Sequence, residues 1–381
     1  MTEQRVVLVT GVAGYWGARL AACLLAEPGD GDGIRIIGLD REPPAEQIQG
    51  LDFIQADIRN PALTDLLHSE GVDTVCHLAF VETVQPSQAA FELNVIGTTK
   101  LLNACAAAGV RRVVLRSSTA VYGARPGNPA FLAEDHALRG STHCGTIRDL
   151  VEIEKFCASQ RHQAPQLMAT VLRFASIVGP TADTPMTRFL QDPWALSLLG
   201  FDPTMQIIHE GDVVEALVHA VRNDAPGVFN VAATDALPIN KIRGLAGKPP
   251  VALFHPFAYW GKKRLDRAGQ VGERYLPIEP DYLRYRWVAD LRRMHEVLGF
   301  EPRHSAEETV REFAAWRHAD RTMAKLAVMA RDEEQLRLVV EQRRQARGQP
   351  SLVGELVADV VGPPEPAETD RLDIEQEWRK G

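Results

Sequence analysis

The 381-residue sequence is short of several things, and each shortage removes a class of protein. Its five cysteines, at positions 23, 76, 105, 144 and 157, never fall at C-x-x-C spacing. That distribution suggests neither a disulfide framework nor a metal site, so buried or free thiols are expected. No window reaches the ~18 apolar residues that a membrane span requires, and the opening MTEQRVVLVTGVAG lacks a cationic segment followed by an apolar stretch and cleavage site. A soluble, cytoplasmic protein without a membrane partner is the expectation. Basic charge is scarce too, with 42 Lys and Arg against 50 Asp and Glu and a formal net charge of -8. Residues 351–381 hold eight acids and three bases, which accounts for -5 of that total. Nothing basic enough remains to follow a phosphate backbone, so no nucleic-acid partner is expected. Finally, STHCGTIRDLVEIEK at 141–155 contains no tyrosine, and its only lysine is its last residue.

What is present reads as an α/β protein. A chain 45% hydrophobic and 24% charged is long enough for one full α/β core and a smaller second unit. RVVLVT, IRIIGLD, DFIQAD, DTVCHLAF, RRVVLRSS and MATVLRFASIVG are rich in β-branched residues, end at turn formers and alternate with helix-length spacers. This alternation predicts a doubly wound parallel sheet of the Rossmann type, covered by helices on both faces. GVFNVAA at 227–233 is expected to return to it. Residues 1–180 therefore read as a nucleotide-binding domain whose sheet is completed by about 207–233. Residues 181–318 read mainly as a substrate-binding lobe, since 181–206 and 234–287 are richer in Pro, Gly and aromatics. From 319 onward Met323, Leu326, Ala327, Ala330, Leu336, Val339 and Val340 recur at helical spacing, which predicts a C-terminal helical extension and then an acidic tail.

The strongest chemical signal follows the first strand. Gly11, Gly14 and Gly17 lie where a strand turns into a helix, with Tyr15 and Trp16 between the last two. The first glycine permits the tight turn, the second lets backbone approach a pyrophosphate, and the third lets helix and strand pack closely, while the helix N-terminus offers its N–H groups. Twenty-three residues after Gly17 the second strand ends in Asp40, whose carboxylate can accept both ribose hydroxyls of an adenosine. A carboxylate there repels a 2'-phosphate and favours NAD, although the adjacent Arg41 keeps NADP open.

With G-x-x-G-x-x-G spacing the chain resembles an extended short-chain dehydrogenase/reductase of the NAD-dependent epimerase/dehydratase family, over roughly residues 5 to 315. Asp57 and Ile58 resemble the family's pair beside the adenine, and His77-Leu78-Ala79 ends the strand along which the dinucleotide backbone passes. Asn94 in FELNVIGTTKLL matches the asparagine of helix four. SSTAVYG at 117–123 matches the segment carrying the active-site hydroxyl, with Ser117 on the cofactor side. In the family that hydroxyl lies four residues before the tyrosine of V-Y-G, which here is Ser118, with Thr119 as second candidate; Tyr122 is then structural. LRFASIVGP at 172–180, HEGDVVEALVHAV at 209–221 and ADLRRMHEVLGFEPRHSAEETVREF at 289–313 continue the match, with His209 and Asp212 orienting a helix start.

One departure concerns the chemistry itself. The resemblance implies Y-x-x-x-K one turn apart on a helix face, with a tyrosinate as acid/base and a lysine that lowers its pKa and holds the nicotinamide ribose. Superposing Cys144-Gly145-x-x-Arg148-x-x-x-Glu152 keeps the glycine, a cation at +4 and the glutamate at +8. On that register Cys144 replaces tyrosine and Arg148 replaces lysine. Arg148 retains a positive charge for the ribose, but Cys144 is too short to reach the same oxygen without a bridging water, and its thiol is a different acid. His143 is a neighbouring proton carrier by type.

The later motifs depart from sugar-nucleotide epimerases as well, with Ser176 for the usual asparagine and no arginine in GFDPTMQIIHE for a diphosphate. Two phosphates can then be bound only if Arg173, Arg188 or KKRLDR at 262–267 is nearby, and PFAYWG at 256–261 reads equally as an apolar wall for a less charged substrate or as an exposed core patch. Two classes fit: an NAD-dependent, epimerase/dehydratase-like oxidoreductase acting on a carbinol of a sugar nucleotide or other small hydroxylated substrate, or a non-catalytic NAD-binding sensor or scaffold. The resemblance also implies a homodimer through the helices after strands four and five.

Overall fold

The computed structural model describes residues 5–26, 33–249, 251–254, 256 and 279–347. KKRLDR, all of PFAYWG except its first residue, and the acidic tail lie outside the described residues. The strands are β1 (Arg5–Thr10), β2 (Ile34–Asp40), β3 (Asp52–Gln55), β4 (Val72–His77), β5 (Arg112–Ser118), β6 (Met168–Phe174), β7 (Ser176–Val178), β8 (Ser197–Leu198), β9 (Thr204–His209), β10 (Gly227–Val231), β11 (Ala236–Pro238) and β12 (Ala252–Leu253). The helices are α1 (Tyr15–Ala26), α2 (Leu63–Ser69), α3 (Gln88–Phe91), α4 (Thr98–Ala108), α5 (Gly145–Gln163), α6 (Pro185–Gln191), α7 (Glu210–Arg222), α8 (Ile239–Leu245) and α9 (Ala306–Ala346). A π-helical turn, Glu92–Gly97, joins α3 to α4.

Seven strands form one sheet in the order β10-β6-β5-β4-β1-β2-β3, every neighbouring pair parallel. The apolar runs dictate this arrangement. A strand covered by helices on both faces cannot alternate between polar and apolar, so it reads as nearly continuous Val, Ile and Leu. In β1, Val7 and Val9 pack with Leu20, Ala21, Leu24, Leu217 and Val221 of α1 and α7, whereas Val6 and Leu8 pack with Leu67, Leu101 and Leu102 of α2 and α4. Each such aliphatic side chain contributes about 1.5–3 kcal/mol by leaving water. The chain runs outward from β1 to β3 and then crosses back to β4, so strand order reverses between β1 and β4. Doubly wound sheets bind ligands in the crevice at the carboxyl ends of such a pair.

Two expectations are refined. MATVLRFASIVG is two strands, broken at Ala175: β6 stays in the main sheet, whereas β7 pairs with β9 in a three-stranded sheet completed by β11. Only β10, from the 207–233 stretch, joins the main sheet, beside β6. A second core, with Met186, Phe189, Leu190, Ile207, Leu237, Ile239, Tyr282, Trp287 and Phe313, lies under the smaller sheets. The chain divides into two units, Met1–Trp316 and Arg317–Gly381. Helix α9 starts at Ala306 and runs uninterrupted past 319, and in the second unit Met323, Leu326, Leu336, Val339 and Val340 are exposed along it.

Candidate functional site

The glycine turn has the shape its spacing implies. Gly11 adopts φ +74°, its N–H donates to the Leu39 carbonyl (2.9 Å), and a Cβ there would lie 2.5 Å from the Ala79 nitrogen. Only a residue without a side chain lets the β1 turn lie against Leu78-Ala79 after β4. A Cβ on Gly17 would overlap the Gly11 carbonyl, so the third glycine permits α1 to start directly on the turn. The Gly14 N–H donates to Gly11 O at 3.0 Å. Tyr15 and Trp16 open α1, ring centroids 4.7 Å apart and nearly perpendicular.

The acidic residues hold neighbouring backbone. Asp40, at the end of β2, accepts the Ala13 N–H on Oδ2 (3.0 Å) and the Arg41 N–H on Oδ1 (2.7 Å), which fixes the carboxylate beside the glycine turn. Arg41 is exposed, and its carbonyl accepts from Gln55. Asp57 forms a two-pronged pair with Arg59, which pulls its carboxyl down to about 2. Ile58 is buried beside Gly97.

Beneath Leu78 and Ala79, His77 is enclosed between Thr10 Oγ1 (2.7 Å) and Thr98 Oγ1 (2.8 Å), and burial pushes its pKa down to about 4. It is a neutral hydrogen-bonding strut. Asn94, in the π turn, is fully buried; its amide donates to Val81 O (2.9 Å) and Asp149 Oδ2 (3.0 Å), and its oxygen accepts the Val81 N–H (2.8 Å). One asparagine thus ties the loop after β4 to α5. The wide π turn lets it point there, a common role for such turns at functional sites.

At the end of β5, Ser118 caps a 3₁₀ turn at Thr119–Tyr122, its Oγ accepting the Ala120 N–H at 3.2 Å. The Thr119 hydroxyl is buried without a hydrogen-bond partner. Ser117 points to the other face and donates to Glu154 Oε1 at 2.5 Å. Glu154 also receives Arg173, Nη2 to Oε2 at 2.6 Å, with both side chains 4% exposed. Arg173 continues to the Tyr122 hydroxyl (2.6 Å), which donates to Asn230 Oδ1 (2.7 Å). Burial raises the Tyr122 phenol to about 12 despite Arg173, so it is a structural group.

The tyrosine-less stretch starts α5. Cys144 is the residue preceding its first turn, with Sγ 3.9 Å from Thr83 O, and Gly145 fits tightly against Thr83 and Gln85. Arg148 folds onto Asp149 (2.7 Å) and stacks on Phe91 at 5.0 Å, along a pocket of about 350 Å³ that Arg125, Arg139 and Lys155 also line. Ser118, Thr119 and the glycine turn thus share the carboxyl edge of the sheet, whereas Arg148 is engaged by Asp149, Phe91 and the Ser87 carbonyl. His143 is exposed. The motif's +8 position falls on Glu152, which pairs with exposed Lys155 (2.8 Å), whereas Glu154 makes the buried contacts. Only the partners on β5 and β6 distinguish these two glutamates.

Two further sets have structural partners. Arg173 is neutralised by Glu154, and Arg188 pairs with Asp183 at 2.7 Å. His209, Asp212 and His304 come within 4.8 Å of one another, the one group of metal-ligand type among the described residues. His209 Nδ1 accepts the Gly211 N–H (3.1 Å), so the neutral ring carries its proton on Nε2, 3.4 Å from Glu312, while Asp212 accepts the N–H groups of Arg303 and His304. That arrangement caps α7 and pins the 303–304 segment.

Fold and site together define a dinucleotide-binding protein of the doubly wound class. The chain belongs to the NAD dependent epimerase/dehydratase family, whose profile matches residues 7–232. It is 33% identical over 320 residues to an uncharacterized protein of Mycobacterium tuberculosis, covering 81% of this chain and 83% of that one. A UDP-glucose 4-epimerase of Mycolicibacterium smegmatis is 29% identical over 340 residues, 80% of this chain and 95% of the other. Among solved structures, MoeE5 in complex with UDP-glucuronic acid and NAD is 26% identical with a TM-score of 0.61, covering 82% of this chain and 99% of that chain. The Thermotoga maritima UDP-glucose 4-epimerase with UDP-glucose, 20% identical over 83% of this chain and 99% of its own at a TM-score of 0.62, shares the fold.

Proposed function

We propose that this chain binds NAD and acts as an oxidoreductase on a carbinol of a sugar nucleotide or another small hydroxylated substrate. The observation that carries the reading is the convergence of Gly11, Asp40, Ala79 and Ser118 at one edge of one sheet. The residues fit the cofactor: a side chain on Gly11 or Gly17 would collide with backbone at the turn, α1 starts directly on it at Tyr15, and Asp40 is held beside it. When bound, NAD supplies a hydride acceptor. Asp40 accepts the adenosine ribose hydroxyls and repels a 2'-phosphate. The Ser118 oxygen accepts from Ala120, so its own O–H is directed to a substrate oxygen. Counting back from Glu154 by eight and by four gives Thr146 and Leu150, against Cys144 and Arg148 from Glu152. Helix α5 supplies no phenol on either register, so in this reading a water or another group takes the phenol's place and passes the substrate proton on to solvent. The reading also includes a homodimer through α4 and α5 and a division into 1–180, 181–318 and 319–381.

A second reading, a non-catalytic NAD-binding sensor or scaffold, is favoured by Arg148 being paired with Asp149 and by the missing tyrosine. Reduced-nicotinamide absorbance during incubation with candidate alcohols and sugar nucleotides separates the two. Turnover by the natural chain that Ser118→Ala reduces by about 10² or more supports the enzyme. Turnover indifferent to Ser118→Ala refutes the assigned hydroxyl, and turnover only after Cys144→Tyr establishes the binding protein.

A further inference from the structure

Arg116 is a cation beside the turn where the cofactor reading places an anionic diphosphate. It lies on β5 two residues before Ser118 and on the same face as Val114, the face covered by α1 and α7. Its guanidinium stands over the Trp16 ring, 5.7 Å from the centroid, and Nη2 donates to Glu82 Oε1 at 3.0 Å. Trp16 belongs to the first turn of α1, between Gly14 and Gly17, and Glu82 follows β4 three residues after Ala79, against which Gly11 packs. Arg116, Glu82 and Trp16 therefore link β5 to the segments following β4 and β1, where the strand order reverses. It is open to water: the arginine side chain is 15% exposed and the glutamate 34%.

Electrostatics gives this placement a meaning. The N-terminus of α1 carries the positive end of the helix dipole, and a guanidinium beside it is unfavourable unless an anion joins both. Glu82 supplies that anion here, at a site where a diphosphate would bring two charges of its own. Arg19, another cation near this turn, lies over Tyr15 and donates to Thr181.

Resting on the NAD reading, we propose that Arg116 is a ligand of the cofactor diphosphate, which it takes up in exchange for Glu82. The Arg116–Glu82 pair is an electrostatic latch over the glycine turn, and Trp16 guides the guanidinium as it swings. A planar, always-charged fork suits that exchange, because it can give two N–H groups to one phosphate.

The test uses the full chain with ADP-ribose, NAD and adenosine as probes, the two diphosphates by calorimetry and adenosine by saturation-transfer NMR. Arg116→Gln should weaken ADP-ribose roughly tenfold and leave adenosine within about twofold. Glu82→Gln removes the competitor and should tighten ADP-ribose about threefold, a gain absent when Arg116→Gln is also present. Raising salt should weaken the natural chain more than Arg116→Gln. The proposal is overturned if Arg116→Gln weakens adenosine as much as ADP-ribose, or if Glu82→Gln weakens ADP-ribose. A misfolded Arg116→Gln, seen as a lost thermal transition, transfers the decision to Glu82→Gln. A natural chain that takes up neither NAD nor ADP-ribose overturns the cofactor reading itself, and this inference with it.

Discussion

Single residues decide whether the glycine turn exists. A Cβ on Gly17 would overlap backbone, which cannot rotate away as a flexible side chain could. Gly17→Ala should therefore remove NAD binding in calorimetry and lower the thermal midpoint; an alanine variant that binds normally would show that the turn is not the cradle. Glu154 is buried against Arg173, and breaking a buried pair from one side leaves an uncompensated charge. Glu154→Gln should cost about 3–5 kcal/mol in denaturant unfolding. A loss below ~1 kcal/mol would place the pair among those that contribute little. His77 gives a pH signature. Its folded pKa is about 4 against an ordinary 6.5, so the unfolded chain binds the proton first as pH falls. Its contribution is complete above about pH 6.5 and is lost as pH falls through about 4. Asp57, held down to about 2 by Arg59, loses its contribution only at lower pH, so the windows separate. Unfolding free energies across the higher window should slope downward with acid, and His77→Asn should flatten that slope. These roles differed in legibility. Gly11 and Asp40 were readable because each acts on backbone close to it or at a set distance along one βαβ unit, whereas Glu154 finds Arg173 nineteen residues away on another element.

At the scale of elements, the strands were legible because burial on both faces leaves a plain compositional trace. The break at Ala175 was not, because β6 and β7 are both apolar and differ only in which sheet they join. The π turn at Glu92–Gly97 left no pattern either; one extra residue in a turn changes where Asn94 points without changing residue type. Asn94 joins the loop after β4 to α5 by three hydrogen bonds. Asn94→Ala should cost about 1–3 kcal/mol, since it removes a partner from Oδ2 of the buried Asp149 and from two backbone groups. NAD affinity should fall with it, as the 78–81 segment loosens. Unchanged affinity with reduced stability would confine Asn94 to the scaffold.

At the scale of the molecule, burial raises the Cys105 and Cys157 thiols to about 12, which makes them inert core residues. Among the described residues no helix is long and apolar enough to cross a membrane. The proposed homodimer through α4 and α5 predicts sedimentation of a species twice the 42.0 kDa chain mass at micromolar concentration. A single 42.0 kDa species there would refute it.

By itself the amino-acid order determined the doubly wound sheet, the glycine turn, the carboxylate at the end of the second strand and the lack of a phenol on α5. These depend on neighbours along the chain, whose geometry local periodicity and turn chemistry dictate. Only the tertiary structure decided which glutamate of α5 is buried, that Arg148 turns to Asp149, and that Arg116, Glu82 and Trp16 meet above the cradle. Side chains on separate elements come together only after the sheet has set their register, and no pattern along the chain records that meeting.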